Sequence, residues 1–380
     1  MYSHPGRRWP LCDPRHRSRP LPSRRRVLYN LGSDLFTDEI TTMRHNCFLP
    51  RALALAAGLF VLFLAGGCDA ASRAAHPRAL EGTLIYTQFD AHEATARPRT
   101  MALIFHDLKT GHSKSVLHSS DVGLKFFGAT SISQDGKTLV VEIVGRKNNI
   151  LLLDTRNLSR TYINTPVEAM YPRLSPSQRK IVFYGKESRS GPLTIWIYDM
   201  ETRRSRKLPC SYKACVRPVW GESDSQLYYA ALDTGGFSAA AKSYLVRRNL
   251  ATDTESVIHV SVPGSPIAPI TFLPQCKALF LSKRKYPEKF ASKHRLVSLQ
   301  RLDIGSSGVI TVFQSPLLGE ASFYADCESF FAPMLPTLPA TYDDIFFISP
   351  RNDLRVRITD DRLGHAYLLW HPKRLLFPDN

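Results

Sequence analysis

One pattern of polar and apolar positions returns along most of the chain: a polar turn followed at once by a short apolar strand. The clearest copy, SISQDGKTLVVEI, begins at Ser131, and the next, RLSPSQRKIVFYG, begins at Arg173. The equivalent turn positions are 42, 46, 52 and 51 residues apart, and they are Ser133, Ser175, Gly221, Leu273 and Tyr324. A unit of that length fits one four-stranded blade of a β-propeller.

Each copy continues with a third strand and a tight turn into a fourth. The third strands end near the polar residues Asp107, Asp154, Asp199, Asn249 and Asp303. There a carboxylate or amide oxygen can accept hydrogen bonds from the N–H groups of the turn. Five such side chains at one repeat position also suggest metal ligands, but in a propeller these turns point outward on separate blades. We therefore predict a structural role and no metal site.

The two ends of the sequence complete a sixth unit. Residues 81–117 supply the later strands of the first blade, and HAYLLWHPKRLLF, from His365, supplies its missing inner strand. In that segment His371 occupies the place of Ser175. Closure of this kind leaves no exposed sheet edge between the chain ends. The sequence therefore predicts an all-β fold, a six-bladed β-propeller of four-stranded antiparallel blades closed by pairing of its N- and C-terminal strands.

The repeat resembles the WD40-like repeat of the TolB propeller family, which runs from a proline through Ser-Pro-Asp-Gly-Lys and an apolar strand to a Tyr-x-x-Asp segment. The best matches are residues 133–137 with the strand 139–141, and residues 172–176 with the strand 181–184. Later copies keep only part of the turn. The resemblance covers nearly all of the chain after Cys68, and it implies the fold more than a function.

Residues 43–68, MRHNCFLPRALALAAGLFVLFLAGGC, have the layout of a secretory signal, with a basic start, an apolar run and small residues. The run is short for a permanent membrane span. Its end resembles a bacterial lipobox, with Ala65 where the commonest form has leucine, which implies that Cys68 is acylated and becomes the mature N-terminus. A cysteine buried in a core helix is the alternative. Asp69 resembles an inner-membrane retention signal, but that rule does not hold in all bacteria, so either membrane stays open.

This interpretation divides the chain into four parts. Residues 1–42 are a basic, Arg- and Pro-rich leader without apolar periodicity, residues 43–67 the signal peptide, residues 68–79 a short tether and residues 80–380 the propeller. The tether is too short for the α/β domain that precedes the propeller in the best-known TolB-like protein. In this interpretation translation starts at Met43 and the start at Met1 is misassigned. The alternative is that residues 1–42 form a disordered cytoplasmic extension.

Processing lowers the charge but does not change its sign. The whole chain carries a formal +17; residues 1–42 hold eight Arg and four acids, and residues 43–67 hold two Arg and no acid. The remainder has 40 basic and 29 acidic residues, a formal charge of about +11. Such a balance suits anionic lipid or an anionic envelope polymer, and a lipid-tethered exported protein is not expected to meet nucleic acid. A general compositional bias would explain the same charge.

Four cysteines besides Cys68 remain after the signal peptide, and export predicts that they are oxidised. Cys210 and Cys215 flank the crossing between two blades and enclose a small loop. Cys276 and Cys327 each follow the repeat turn by three residues in consecutive blades, so a disulfide would join the two turns if their Cα atoms approach within about 7 Å. Free thiols are the alternative, and zinc lacks a third ligand nearby.

Two segments depart from the repeat and are candidate contact loops. Residues 282–295 carry two aromatic residues and the six cations Lys283, Arg284, Lys285, Lys289, Lys293 and Arg295, which suit anionic headgroups. Residues 232–243 contain two glycines and three alanines and are predicted to be mobile until a partner orders them. Both compositions also describe ordinary solvated loops.

No familiar catalytic motif follows the signal peptide: G-x-S-x-G, H-E-x-x-H, G-x-G-x-x-G and Walker A are all missing. We therefore expect a lipid-anchored periplasmic scaffold, without a cofactor, that binds an envelope protein, peptide or polymer through one face or its central channel. The alternative is a glycan lyase or hydrolase with its site in the channel. Charged side chains that converge at one channel mouth would favour the enzyme, and scattered ones the scaffold.

Overall fold

The computed structural model describes residues 80–89, 101–123, 126–144, 150–188, 190–238, 240–285, 296–306, 308–315, 318, 320–334, 343–361 and 363–375. The signal region and the tether, and with them Cys68 and Asp69, lie outside these residues. None of the helices in the described ranges has the length and apolar character needed to cross a membrane.

The described strands form six four-stranded antiparallel sheets, and each sheet is one blade. Blade 1 contains β1 (Thr83–Phe89), β2 (Met101–Asp107) and β3 (Ser113–His118). Blade 2 follows with β4 (Phe126–Ile132), β5 (Thr138–Val144), β6 (Ile150–Asp154) and β7 (Arg160–Ile163). Blade 3 has β8 (Met170–Leu174), β9 (Lys180–Gly185), β10 (Thr194–Asp199) and β11 (Arg204–Lys207).

The second half of the ring repeats this order. Blade 4 contains β12 (Ala214–Trp220), β13 (Gln226–Leu232), β14 (Ser243–Asn249) and β15 (Thr254–Val260). Blade 5 has β16 (Ile267–Leu273), β17 (Ala278–Lys285), β18 (Leu296–Asp303) and β19 (Val309–Ser315). Blade 6 has β20 (Ser322–Phe323), β21 (Phe330–Met334), β22 (Asp344–Ser349) and β23 (Leu354–Arg357). Single-turn 3₁₀ helices lie at Ser120–Val122, Pro274–Cys276 and Pro350–Asn352.

The C-terminal strand β24 (Gly364–His371) closes the ring by entering blade 1 as its inner strand. It pairs antiparallel with β1, from Thr83 opposite His371 to Phe89 opposite Gly364. The predicted six-bladed propeller, with its closure by the two terminal strands, is confirmed.

Apolar packing between blades explains why the second strands are apolar on both faces. Within the described residues, each hydrophobic cluster lies mainly between two consecutive blades. Alternate residues of a strand point to opposite faces, so Leu139 and Val141 of β5 pack toward blade 1 and Val140 packs toward blade 3. The same alternation turns Glu142 toward blade 3.

Turns that the repeat predicts close the hairpins. At the first turn, the N–H groups of Ser133, Ser175, Gly221 and Tyr324 donate to carbonyls five residues ahead, at 2.8–2.9 Å. At the third turn, the side-chain oxygens of Asp107, Asp154, Asp199 and Asn249 accept N–H groups two residues ahead, at 2.9–3.1 Å. Asp303 differs, because its carboxylate accepts a hydrogen bond from Arg301 Nε at 2.7 Å.

Candidate functional site in the central channel

Five inner strands carry a bulge at a similar height in the channel. The pairing register shifts in β4, β8, β12, β16 and β24. At three of these bulges a non-glycine residue adopts a φ of 52°, and these residues are Tyr171, Arg217 and Tyr367. Left-handed backbone at bulky residues is uncommon and costs roughly 1–3 kcal/mol, and such strain concentrates at functional sites.

The bulge residues share one position in the repeat, four residues before the first turn. Around the propeller this position holds Ala129, Tyr171, Arg217, Pro269, Glu320 and Tyr367. Four of the six are polar or aromatic, and we call Tyr171, Arg217, Glu320 and Tyr367 the channel ring. Blades 3, 4, 6 and 1 each contribute one of them.

Three members of the channel ring are in direct contact. The Tyr171 hydroxyl donates to Glu320 Oε1 at 2.5 Å, and Arg217 Nη2 lies 3.1 Å from the same oxygen. Arg217 Nη2 also donates to the Tyr171 hydroxyl oxygen at 2.7 Å, and its guanidinium carbon lies 4.4 Å from the centre of the Tyr171 ring. Tyr184 stacks on Tyr171, with 5.8 Å between ring centres. Side chains from three blades therefore form one hydrogen-bonded group.

The charges of this group stabilise each other. Burial raises the pKa of Glu320, but Arg217 and the Tyr171 hydroxyl outweigh it, so the pKa lies below the ordinary value. Burial lowers the pKa of Arg217, but Tyr171 and Glu320 outweigh it and raise the pKa. Burial raises the pKa of Tyr171 well above its usual range. At neutral pH the group is an Arg–Glu ion pair with a neutral tyrosine that donates a hydrogen bond.

Glu142 is a buried carboxylate that links blades 2 and 3. Its Oε2 accepts the N–H of Ala129, in the bulge of β4, at 3.1 Å and the N–H of Tyr171, in the bulge of β8, at 3.0 Å. Burial raises the pKa of Glu142 to about 7, although these two N–H groups act in the opposite direction. The residues opposite the corresponding bulges of blades 3 and 4 are the aromatic residues Phe183 and Tyr229. Glu142 therefore replaces an aromatic core residue with a titratable group.

Gly128 provides the space for this carboxylate. A Cβ atom at position 128 would lie 2.5 Å from Glu142 Cδ and 2.7 Å from Oε2. The glycine is needed here for the close approach of a side chain.

We predict that Gly128→Ala destabilises the protein by about 1–3 kcal/mol, because the added methyl group overpacks the Glu142 carboxylate. Urea unfolding monitored by circular dichroism measures the change. In a Glu142→Ala background, where the carboxylate is gone, the same substitution is expected to cost much less. Equal costs in the two backgrounds would contradict the contact.

Two further arginines lie close to the channel ring. The Arg173 guanidinium donates through Nη1 to the Thr130 carbonyl, and burial lowers the pKa of Arg173. Arg284, near the end of β17, is close enough to Glu320 to help lower the pKa of that carboxyl. At the ring position the inner strands of blades 2 and 5 carry only Ala129 and Pro269. These two blades contribute charged side chains from their second strands instead, namely Glu142 and Arg284. Charged side chains from several blades converge in the channel.

Only part of the predicted basic loop falls within the described residues. Lys283, Arg284 and Lys285 belong to the end of β17, whereas Lys289, Lys293 and Arg295 lie outside the described ranges. The charge of Arg284 helps to lower the pKa of Glu320 in the channel ring. The pKa of His259 is lowered by burial and by the neighbouring charge of Lys283. A role of this loop in binding stays a prediction.

The four cysteines lie in the two predicted pairs. In each pair, Cys210 with Cys215 and Cys276 with Cys327, the Cα atoms are 6.2 Å apart, a separation that a disulfide spans. Cys210 lies between β11 and β12, and Cys215 lies in β12. We propose that both disulfides form after export.

Peptide mass mapping of protein isolated from envelopes under non-reducing conditions is expected to recover both linked peptide pairs, because the periplasm oxidises such thiols. Alkylation before reduction should label none of the four cysteines, and alkylation after reduction should label all of them. Extensive labelling before reduction would show free thiols instead.

Two open clefts lie away from the channel, at the turns of blades 3 and 4. Their volumes are about 470 and 590 Å³; Ser177 and Asp224 line the first, and Ser223 lines both. In the second cleft, the guanidinium of Arg248 is already paired with Asp253 and Glu255 at 2.5 and 2.6 Å. Within the described ranges, no three His, Cys, Asp or Glu side chains are grouped so that they could hold a metal ion. The channel therefore offers the stronger candidate site.

Sequence reasoning did not single out the channel ring. Its members lie four residues before the aligned turn positions, so counting back along the repeat would have found Tyr171, Arg217, Glu320 and Tyr367. A second signal was available, because Tyr171 and Arg217 each precede a proline within an inner strand.

Solved structures share this architecture. TolB from Acinetobacter baumannii is 17% identical and aligns with a TM-score of 0.59 over 77% of this chain and 67% of its own. A putative TolB from Agrobacterium tumefaciens is 10% identical, with a TM-score of 0.51 over 77% of this chain and 100% of its own. Hydrazine synthase from Kuenenia stuttgartiensis is 8% identical, with a TM-score of 0.55 over 80% of this chain and 48% of its own.

No protein-family model and no curated protein sequence matches the chain. At these identities the structural likeness establishes the fold alone. In architecture the chain is a six-bladed β-propeller similar to these TolB structures.

Proposed function

We propose that the protein is a lipid-anchored scaffold of the bacterial periplasm that binds an envelope protein or peptide through its channel. The proposed location rests on the signal layout of residues 43–67 and the lipobox-like ending at Cys68. The TolB-like fold is compatible with this location. The residue after the cysteine, Asp69, does not decide whether the anchor lies in the inner or the outer membrane, because the retention rule does not hold in all bacteria.

The channel ring is the observation that carries the binding proposal. A buried ion pair adds little stability, because its attraction recovers little more than the cost of desolvation, so stability alone does not explain an arginine and a glutamate at inner positions. Here the inner positions hold an arginine, a glutamate and two tyrosines, three of them on left-handed backbone. Buried groups with shifted pKa values and local strain are typical of binding and catalytic sites.

A wider contact surface is part of the proposal. Lys283 and Arg284 lie where β17 ends, on the side of the propeller where the inner strands begin. Cations there favour an acidic partner surface, anionic lipid or an anionic envelope polymer. Arg284 also lies close enough to Glu320 to lower the pKa of that carboxyl, so one partner can contact both the end of β17 and the channel ring.

Affinity purification of the lipidated protein from crosslinked envelopes tests this function. We expect at least one reproducible partner with the natural sequence and its loss with Arg217→Met, which removes the cation of the channel ring and leaves the Glu320 carboxylate. Arg351→Met is the matched control, because Arg351 is an exposed arginine, in an ion pair with Glu328 at 3.5 Å. Absence of any reproducible partner, or equal capture by Arg217→Met, would contradict the proposal. Mass spectrometry of the same sample shows whether the chain begins at acylated Cys68.

An enzyme acting on glycans is the second candidate, and the convergence of charged side chains in the channel favours it. Glu142, with a pKa of about 7, is suited to proton transfer at neutral pH. Against this role, Oε2 of Glu142 already accepts two backbone N–H groups, and the residue is only 7% exposed. Turnover of envelope or uronate oligosaccharides that Glu142→Gln abolishes would establish the enzyme and overturn the scaffold.

A further inference from the structure

The hydrogen bond between Tyr171 and Glu320 crosses the channel. Tyr171 belongs to blade 3 and Glu320 to blade 6, and in a ring of six blades these two are opposite each other. Their side chains still meet, with 2.5 Å between the hydroxyl oxygen and Oε1. Arg217, from blade 4, forms an ion pair with the same carboxylate, with 3.1 Å between Nη2 and Oε1 of Glu320. The channel is therefore closed at the level of the channel ring.

Glu320 is the member of this closure that is least fixed by the fold. It precedes β20, which has two residues, whereas the other inner strands have five to eight. It lies between the isolated bridge at Leu318 and the start of β20, outside the regular strand pairing. Its side chain is 31% exposed, compared with 11% for Arg217. A molecule that enters the channel can displace Glu320 more readily than Arg217.

The remaining charges favour an anion in place of Glu320. Arg173, Arg217 and Arg284 lie around the closure, against Glu142 and Glu320. Burial holds Glu142 partly protonated near neutral pH, so moving Glu320 aside leaves up to three cations with little compensation. The tyrosines of the ring stay neutral and can donate hydrogen bonds, because burial raises the pKa values of Tyr171 and Tyr367.

We propose that Glu320 occupies the place of a ligand carboxylate, and that an acidic side chain of a bound peptide replaces it on Arg217 and Tyr171 and so opens the channel. This inference rests on the proposed function and names the ligand class for the same site. The group now held is a glutamate side chain on an irregular backbone segment, so an extended acidic peptide reproduces its chemistry. A phosphate ion lacks the extended backbone that carries the carboxylate at Glu320, so phosphate binding is an alternative outcome of the test.

Isothermal titration calorimetry with the peptide acetyl-Gly-Glu-Gly-Glu-Gly-amide tests the replacement. We expect binding to the natural protein, and binding about tenfold tighter to Glu320→Gln, because the internal competitor loses its charge. Arg217→Met is expected to weaken binding at least tenfold. The glutamine counterpart of the peptide should not bind. A role of Glu320 that is only structural would not produce the gain in affinity.

Matched controls use the exposed ion pair of blade 6. Glu328→Gln and Arg351→Met should leave the affinity for the peptide unchanged. If Glu320→Gln does not fold, as thermal melting will show, Glu320→Ala removes the same charge. Equal or weaker binding by the Glu320 variants overturns the proposal, as does tighter binding of inorganic phosphate or trigalacturonate than of the peptide.

Failure of this inference can be separated from failure of the proposed function. If envelope partners still depend on Arg217 while the acidic peptide does not bind, the channel remains the binding site and the ligand class is wrong. If envelope partners do not depend on Arg217, the proposed function itself fails.

Discussion

Deletion of residues 364–380 is expected to abolish cooperative thermal unfolding. The deletion removes β24, and with it the inner strand of blade 1 and the only pairing that joins the two ends of the propeller among the described strands. It also removes Leu368 from the cluster between blades 6 and 1 and Trp370, whose Nε1 donates to the Glu81 carbonyl at 3.1 Å. The free energy lost with a whole strand is expected to exceed the free energy of unfolding of a folded domain, which is about 5–15 kcal/mol.

Circular dichroism melts of the mature chain measure this effect. A chain that ends at residue 375 is the control, because it keeps β24 and the hydrogen bond from the N–H of Leu375 to the Thr83 hydroxyl at 2.9 Å. We expect the control to melt like the full-length protein and the longer deletion to show no cooperative transition. A melt of the longer deletion that superimposes on the full-length curve would disprove the closure.

Glu142→Gln is expected to flatten the pH dependence of stability. The pKa of Glu142 rises from 4.5 to about 7 on folding, with burial as the main cause. Because the folded state has the higher pKa, it binds the extra proton between these two values. The contribution of Glu142 to stability is therefore complete below about pH 4.5 and is lost as the pH rises through 7. The full difference is about 3 kcal/mol.

Urea unfolding at several pH values between 4.5 and 8 measures this change. The free energy of unfolding of the natural protein should fall relative to that of Glu142→Gln as the pH rises. Glu328→Gln controls for loss of one exposed carboxylate and should follow the natural protein. Asp343, whose pKa burial raises to about 6, contributes in the same direction and is unchanged in all three chains. Parallel curves for the natural protein and Glu142→Gln would contradict the assignment.

The fold could be predicted from the sequence because its signals are local. A turn such as residues 133–137 requires particular residues, among them Gly136 at a φ of 80°, and the apolar strand after it is buried on both faces. The apolar strand and part of the turn recur along the chain, so their spacing gives five of the units, and the two chain ends supply the sixth. The closure followed from the likeness of His371 and Ser175 as turn positions. The structure confirms each of these points.

The channel ring does not stand out in the comparison of repeats that predicts the fold, although its members share one repeat position. Repeat comparison looks for likeness, whereas the ring position holds Ala129, Tyr171, Arg217, Pro269, Glu320 and Tyr367, which share no side-chain chemistry. In LVVEIV, Glu142 has the appearance of a solvent-facing residue in an alternating strand. It is buried because blade 3 covers that face and because Gly128 leaves space for it. Both facts depend on contacts between residues distant in sequence.

The structure supports the two cysteine pairs, whereas the lipid anchor is supported by the sequence pattern alone. The cysteine pairs are close in space, so the remaining question is their oxidation state in the cell. Cys68 and Asp69 are outside the described residues, and the anchor rests on the sequence pattern. Under the proposed arrangement, residues 68–79 hold the propeller close to the membrane, where a partner on the same surface meets the channel at a high effective concentration.

Site-specific photo-crosslinking in living cells tests the central claim most directly. A benzophenone side chain replaces Tyr367 in the channel ring or, as a control, Tyr162, which is 42% exposed on the outer strand β7. We predict a discrete adduct of one envelope partner from position 367 after irradiation and none from position 162. The same adducts from both positions, or no adduct from position 367, would contradict the account that the channel is the binding site.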